Sequence, residues 1–168
     1  MASSEFPVII SAILILTILF GFSSALSSNW NNVALILLFS VIVILVNIIA
    51  KKIIAYSLDA NVTHSIWNWS RYGLHPHSHF KKPVPIGAIL PIILSLFSLG
   101  TLKFSALLTY ETRALKYRAA KRHGFYSYVE MTDWHNGLIG AAGIFFVLLL
   151  SFVSYFLPLN NIEILSKM

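Results

Sequence analysis

Four stretches of the chain are nearly free of charged side chains, and the charged residues gather between them. Residues 7–26 (PVIISAILILTILFGFSSAL) carry no charge. An apolar run of about 20 residues is what a helix needs to cross a bilayer, so this stretch reads as a transmembrane helix. Ser23-Ser24-Ala25 resembles the small-residue cleavage site of a secretory signal. Against that reading, the leader holds Glu5 and no Lys or Arg, and the apolar run is too long. The second stretch, residues 33–55, is interrupted only late, by Lys51-Lys52. The connection 27–32 is short, polar and uncharged, and Trp30 within it fits the aromatic belt at a membrane surface.

The third stretch, residues 84–102, is long enough to span, but it holds Pro85, Gly87, Pro91 and Gly100 and follows Pro83. Proline inside a helix removes a donor and kinks it. The fourth, residues 137–157, runs uninterrupted to Pro158 and opens with Gly137, Gly140, Ala141, Ala142 and Gly143. Small residues let membrane helices approach closely, so this face is expected to form the tightest helix contact in the protein. The fold class expected is all-α: a polytopic helical membrane protein, residues 1–168 as one membrane domain. Three helices span, and the third apolar segment is re-entrant or a broken helix.

Composition strengthens that picture. The chain is 57% hydrophobic and 11% charged, and its mean hydropathy is +0.77. Soluble domains carry about 25% charged residues, so a soluble globule is excluded, and so is disorder, which needs low hydrophobicity. There is no cysteine, which removes disulfides, thiol nucleophiles and thiolate metal sites. The net charge of +6 points to loops facing anionic lipid rather than to nucleic acid.

The basic residues also bear on topology. None precedes the second segment. Lys51, Lys52, Arg71, Lys81 and Lys82 lie between the second and third segments or at their ends; Lys103, Arg113, Lys116, Arg118, Lys121 and Arg122 lie between the third and fourth; only Lys167 follows. If all four segments span, the two basic loops face opposite sides and give no orientation. If the third is re-entrant, eleven of the 12 basic residues share one side, and the positive-inside rule puts the N-terminus in the cytoplasm and the C-terminus outside. Irregular backbone at membrane depth is tolerated only where protein buries it or a cavity opens beside it. The stretch 110–122 (YETRALKYRAAKR) reads as a basic helix lying on anionic headgroups.

Candidate chemistry is sparse. His75, His77 and His79 form the run HPHSH. A spacing of two puts alternate side chains on one side of an extended chain, and Pro76 biases His75 towards that geometry. Three neutral imidazoles on one edge could hold zinc, nickel or copper, with His64 or His135 as further ligands, although Lys81-Lys82 nearby would oppose a cation. Asp133, Trp134 and His135 open the fourth segment. Thr132 or Asp133 there suits a helix cap, and an acid suits the helix dipole. A catalytic His–Asp pair needs a third group, and Ser127 nearby carries no motif. No GxSxG, Walker A or GxGxxG run is present. Asn47 is the one strongly polar residue well inside the second segment, where an Asn usually bonds a neighbouring helix.

Three stretches together, residues 47–67 (NIIAKKIIAYSLDANVTHSIW), 80–102 (FKKPVPIGAILPIILSLFSLGTL) and 125–146 (FYSYVEMTDWHNGLIGAAGIFF), resemble the core of archaeal site-2-protease-like membrane proteins, which are intramembrane zinc metalloproteases. The KKPVP run is similar to the Lys-Pro-Val-Pro run after the active-site helix of that family, and LIGAAGI to the start of a following core helix. Active members carry HExxH on the helix matching the second segment, its two His binding zinc and its Glu acting as general base. The matching residues here are Asn47-Ile48-Ile49-Ala50-Lys51. Asn47 replaces an imidazole poorly, Ile48 cannot take a proton, and Lys51 is a cation. The third ligand of the family, an Asp in a Leu-Asp-Gly motif, has no counterpart among the 168 residues.

The resemblance therefore implies either a degenerate, non-catalytic relative or a shortened chain, and no catalytic residue carries over to this sequence. Its partners would be the bilayer and another membrane protein chain bound near the second, third and fourth segments; no nucleic acid is expected. No cofactor is expected unless the HPHSH histidines bind zinc. The alternatives are a small accessory subunit of a larger membrane complex, and a metal-binding membrane protein built on His75, His77 and His79.

Overall fold

A computed structural model describes residues 5–71, 79–105, 107–115 and 131–156. The elements in chain order are α1 (Glu5–Leu26), α2 (Trp30–Ser57), β1 (Ala60–Ile66), β2 (Trp69–Arg71), β3 (His79–Val84), α3 (Ile86–Phe97), β4 (Leu108–Ala114) and α4 (Asp133–Phe156). Three helices, α1, α2 and α4, are long and apolar enough to cross a membrane. At 1.5 Å per residue their 22, 28 and 24 residues reach about 33, 42 and 36 Å, against a hydrocarbon layer of about 30 Å. The chain is mostly helical but not all-α as expected, because β1 pairs with β4 and β2 with β3 in two small sheets. Both lie in the polar connections, where Val62, Thr63, Thr109, Tyr110 and Thr112 favour the pleated backbone. The basic helix expected from residue 110 is likewise corrected: β4 takes residues 108–114, and residues 116–122 lie outside the described ones.

The chain divides into two compact units, Met1–Leu37 with His64–Thr109, and Leu38–Thr63 with Tyr110–Met168. In the first, α1 closes in a Schellman turn: Asn29 N–H reaches Ser24 O at 3.0 Å and Ser28 N–H reaches Ala25 O at 3.1 Å, with Ser28 left-handed at φ 54°. Asn29 then caps α2, its side-chain oxygen accepting from Asn32 N–H at 3.4 Å. α1 packs against α3, whose inner face is Gly87, Pro91 and Ser95 at intervals of four. The helix continues through Pro91 rather than breaking there. It stops at a second Schellman turn, with Gly100 N–H on Ser95 O at 2.8 Å and Leu99 N–H on Leu96 O at 3.3 Å.

One residue of this unit holds both ends of the third apolar segment. The Trp67 carbonyl accepts from Gly87 N–H at 2.9 Å, at the start of α3, and Trp67 N–H donates to Leu107 O at 3.1 Å, just before β4. The 12 residues of α3 reach about 18 Å, and by Leu107 the chain is back beside Trp67, which also bonds the start of α3. On the way back Lys103 Nζ sits 4.8 Å from the centre of the Phe20 ring on α1.

The second unit builds its core from Ala55 at the end of α2, Ala60 and Val62 on β1, and Ile139 on α4, with Ile54, Leu58, Tyr110 and Met131 packed around them. Leu115 N–H donates to Asp59 O at 3.0 Å, which extends the β1–β4 pairing by one rung.

Candidate functional site

Within the second unit, the polar residues of α2 meet the small residues of α4. Asn47 and Lys51 stand four apart on α2 and so share a face. Lys51 is 8% exposed. Its alkyl chain lies along Gly143: a β-carbon at 143 would fall 2.5 Å from Lys51 Cε, 3.1 Å from its Cγ and 3.3 Å from Asn47 Nδ2. Glycine is what lets this lysine lie between the two helices. Lys51 Nζ stands 4.8 Å from the centre of the Tyr110 ring, a cation–π distance. Among the described residues no carboxylate pairs with it.

Tyr110 on β4 ties this group to the start of α4. Its hydroxyl donates to the Asn136 carbonyl at 2.8 Å, and Thr112, two residues along the strand, hydrogen-bonds the Asn136 side chain. Gly140 leaves room for the tyrosine: a β-carbon there would meet the Tyr110 hydroxyl and stand 3.3 Å from its Cζ. At the head of α4, Thr132 immediately precedes the helix and its hydroxyl bonds the His135 ring. The result is a lysine, an asparagine, a tyrosine and a threonine joined across α2, β4 and α4. It can hold two helices and a strand in register, and the hydroxyl–imidazole contact of Thr132 and His135 stands at the head of α4.

The expected positions sort as follows. Asn47 and Lys51 come together with Gly140 and Gly143, while Ile48 is buried on another side of α2. Gly137 faces open space and Ala141 is exposed. His75 and His77 lie outside the described residues, and His79 begins β3. His64 is buried on β1, in the first unit. Among the described residues, no group of three or more His, Cys, Asp or Glu could hold a metal. Tyr110, Thr112 and Asn136 were not anticipated. The signal available was the alternation of Thr, Tyr and Thr at 109, 110 and 112, which suits a strand more than the helix read there.

No family model, curated protein or solved structure matches the chain.

Proposed function

We propose that this chain is a multi-pass membrane protein that binds another membrane protein chain and carries out no hydrolysis. The observation that supports this best is the buried Lys51. It occupies the position where the resemblance to site-2 proteases asks for a metal-binding His, and its stem fills the space beside Gly143. A cation held there opposes a divalent metal, and Ile48 offers no base.

Topology follows from the path of the third apolar segment. Both ends of that segment bond Trp67, and α3 is about 18 Å long where a span needs about 30 Å. A re-entrant segment then leaves three spans, the N-terminus cytoplasmic and the C-terminus outside. The basic residues before and after α3 share the cytoplasmic side, in keeping with the positive-inside rule.

The binding face in this reading is the outer side of α4. Ile144, Leu148, Phe152 and Phe156 recur every four residues and are each more than 60% exposed. The test is a photo-cross-linking residue placed at 148 or 152 in native membranes, with residue 139, which is fully buried, as control. A discrete cross-link to a second protein from 148 or 152, and none from 139, is the expected result. Adducts with lipid alone would remove the partner-binding reading. One zinc per purified chain would remove the non-catalytic one.

A further inference from the structure

Asn47 and Lys51 are polar side chains on one face of α2, within its apolar span. A lysine near the end of a spanning helix ordinarily extends its head towards water, and Lys52, the next residue, is exposed. Lys51 instead turns inward and is buried. Its stem and Asn47 Nδ2 meet the same point beside Gly143, so the two side chains lie together. Among the described residues the ammonium has the Tyr110 ring as its partner, at 4.8 Å, and no carboxylate. The Asn47 amide makes no hydrogen bond to any of them. Asn47 is only half-buried, so the pair is not sealed from outside.

A ring face returns only part of what an ammonium loses on leaving water, and an amide in hydrocarbon is costly without a hydrogen-bond partner. Both groups donate, and the ammonium asks for a negative acceptor. A carboxylate meets both, one oxygen to each donor. Depth decides where that carboxylate comes from. Asn47 lies about 15 Å along α2 from the helix end at Ser57. The helix exceeds the hydrocarbon layer by about 12 Å, so Asn47 lies inside that layer even if the whole excess projects at this end. A phosphate headgroup stays at the boundary, whereas an acid carried on another spanning helix can stand at this level. Ile144, the first residue of the exposed α4 face, directly follows Gly143. A helix lying on that face therefore passes Asn47 and Lys51 at their own depth.

We propose that Asn47 and Lys51 form the recognition site for an Asp or Glu carried in a transmembrane helix of the partner chain, with Lys51 Nζ and Asn47 Nδ2 donating to its carboxylate. This inference rests on the partner-binding reading above and names the chemistry of that partner.

The test reconstitutes the full chain in phosphatidylcholine vesicles with a dansyl-labelled polyleucine transmembrane peptide. The peptide carries a single Glu one turn inside the end of its apolar stretch, and is compared with the same peptide carrying Gln or Leu there. Association is read by energy transfer from the tryptophans of the chain to the label. The Glu peptide should associate about tenfold more tightly than the Gln peptide, and the Leu peptide least. Lys51→Met, whose stem still packs beside Gly143, should abolish the preference for Glu over Gln. Asn47→Leu should weaken it, and Lys52→Gln should leave it unchanged. Equal binding of the Glu and Gln peptides to the wild type would overturn the inference, and this comparison stands even if neither variant folds. A preference that survives in Lys51→Met would overturn it too. So would displacement of the Glu peptide by equimolar oleate, which would mark a site for a free fatty-acid carboxylate. The reading beneath it fails by a different result, lipid-only adducts from residues 148 and 152 in native membranes.

Discussion

Lys51 on α2 lies so close to Gly143 on α4 that a β-carbon at residue 143 would stand 2.5 Å from the lysine Cε. The contact is fixed from both sides, since Lys51 is also held over Tyr110 and cannot swing away without losing that ring. Gly143→Ala should therefore destabilise the detergent-purified protein by about 1–3 kcal/mol, the usual result of overpacking. Lys51→Ala removes the obstructing stem, so Gly143→Ala should cost much less in that background. Thermal unfolding of the four proteins in a double-mutant cycle checks this. Additive effects would mean that the two residues do not touch.

Tyr110 makes two separable contacts, a hydroxyl bond to the Asn136 carbonyl at 2.8 Å and a ring face under the Lys51 ammonium. Tyr110→Phe deletes only the first and should cost about 0.5–1.5 kcal/mol. Tyr110→Leu deletes both and should cost more, with the excess absent when Lys51 is Ala. Equal losses for Phe and Leu would assign the whole effect to the hydroxyl.

The three long apolar helices were legible because their signal is long and redundant: each rests on some twenty mostly apolar residues, about the length a membrane-crossing helix needs. The strands were not. β4 is seven residues running into a basic stretch, and Ala114 and Leu115 there suit a helix as well as a strand. What settles the strand is β1, nearly 50 residues upstream, and the sequence gives no local sign of that pairing. The site was half legible for the same reason. Asn47, Lys51 and Gly143 stood out as polar or small residues within apolar runs, whereas Tyr110 and Thr112 matter only because β4 carries them to Asn136. Gly137 and Ala141 looked equivalent to Gly140 and Gly143, yet they point to open or exposed positions, since a helix has faces that a count of small residues does not distinguish.

Leu99 ends α3 in the left-handed region, φ 51°, where glycine is the usual residue. A side chain there costs about 1 kcal/mol, and Leu99 is 72% exposed, so little packing offsets that cost. Leu99→Gly should raise the midpoint of thermal unfolding. Gly100, next along, has φ 81° and is buried, so Gly100→Ala should lower it. The opposite order would show that the turn is not formed as described.

The HPHSH run bears on the same non-catalytic reading from a different part of the chain. Metal content per purified chain, wild type beside His75→Ala/His77→Ala/His79→Ala, is expected to be below stoichiometric and equal in both. Stoichiometric zinc, nickel or copper that disappears in the triple variant would establish a histidine metal site and reinstate metal-dependent function.

The path of the third apolar segment makes the sharpest prediction. Because Trp67 bonds Gly87 at one end and Leu107 at the other, positions before and after α3 must lie on the same side of the membrane. The chain has no cysteine, so single cysteines report without interference. Lys82→Cys and Glu111→Cys, both at exposed positions, should react with a membrane-impermeant thiol reagent from the same side, the cytoplasmic one. Ser28→Cys, in the α1–α2 connection, should react from the other. A spanning third segment would instead put residues 82 and 111 on opposite sides. That outcome would break at least one of the two Trp67 hydrogen bonds, since one residue cannot bond to chain on two faces of a bilayer about 30 Å apart.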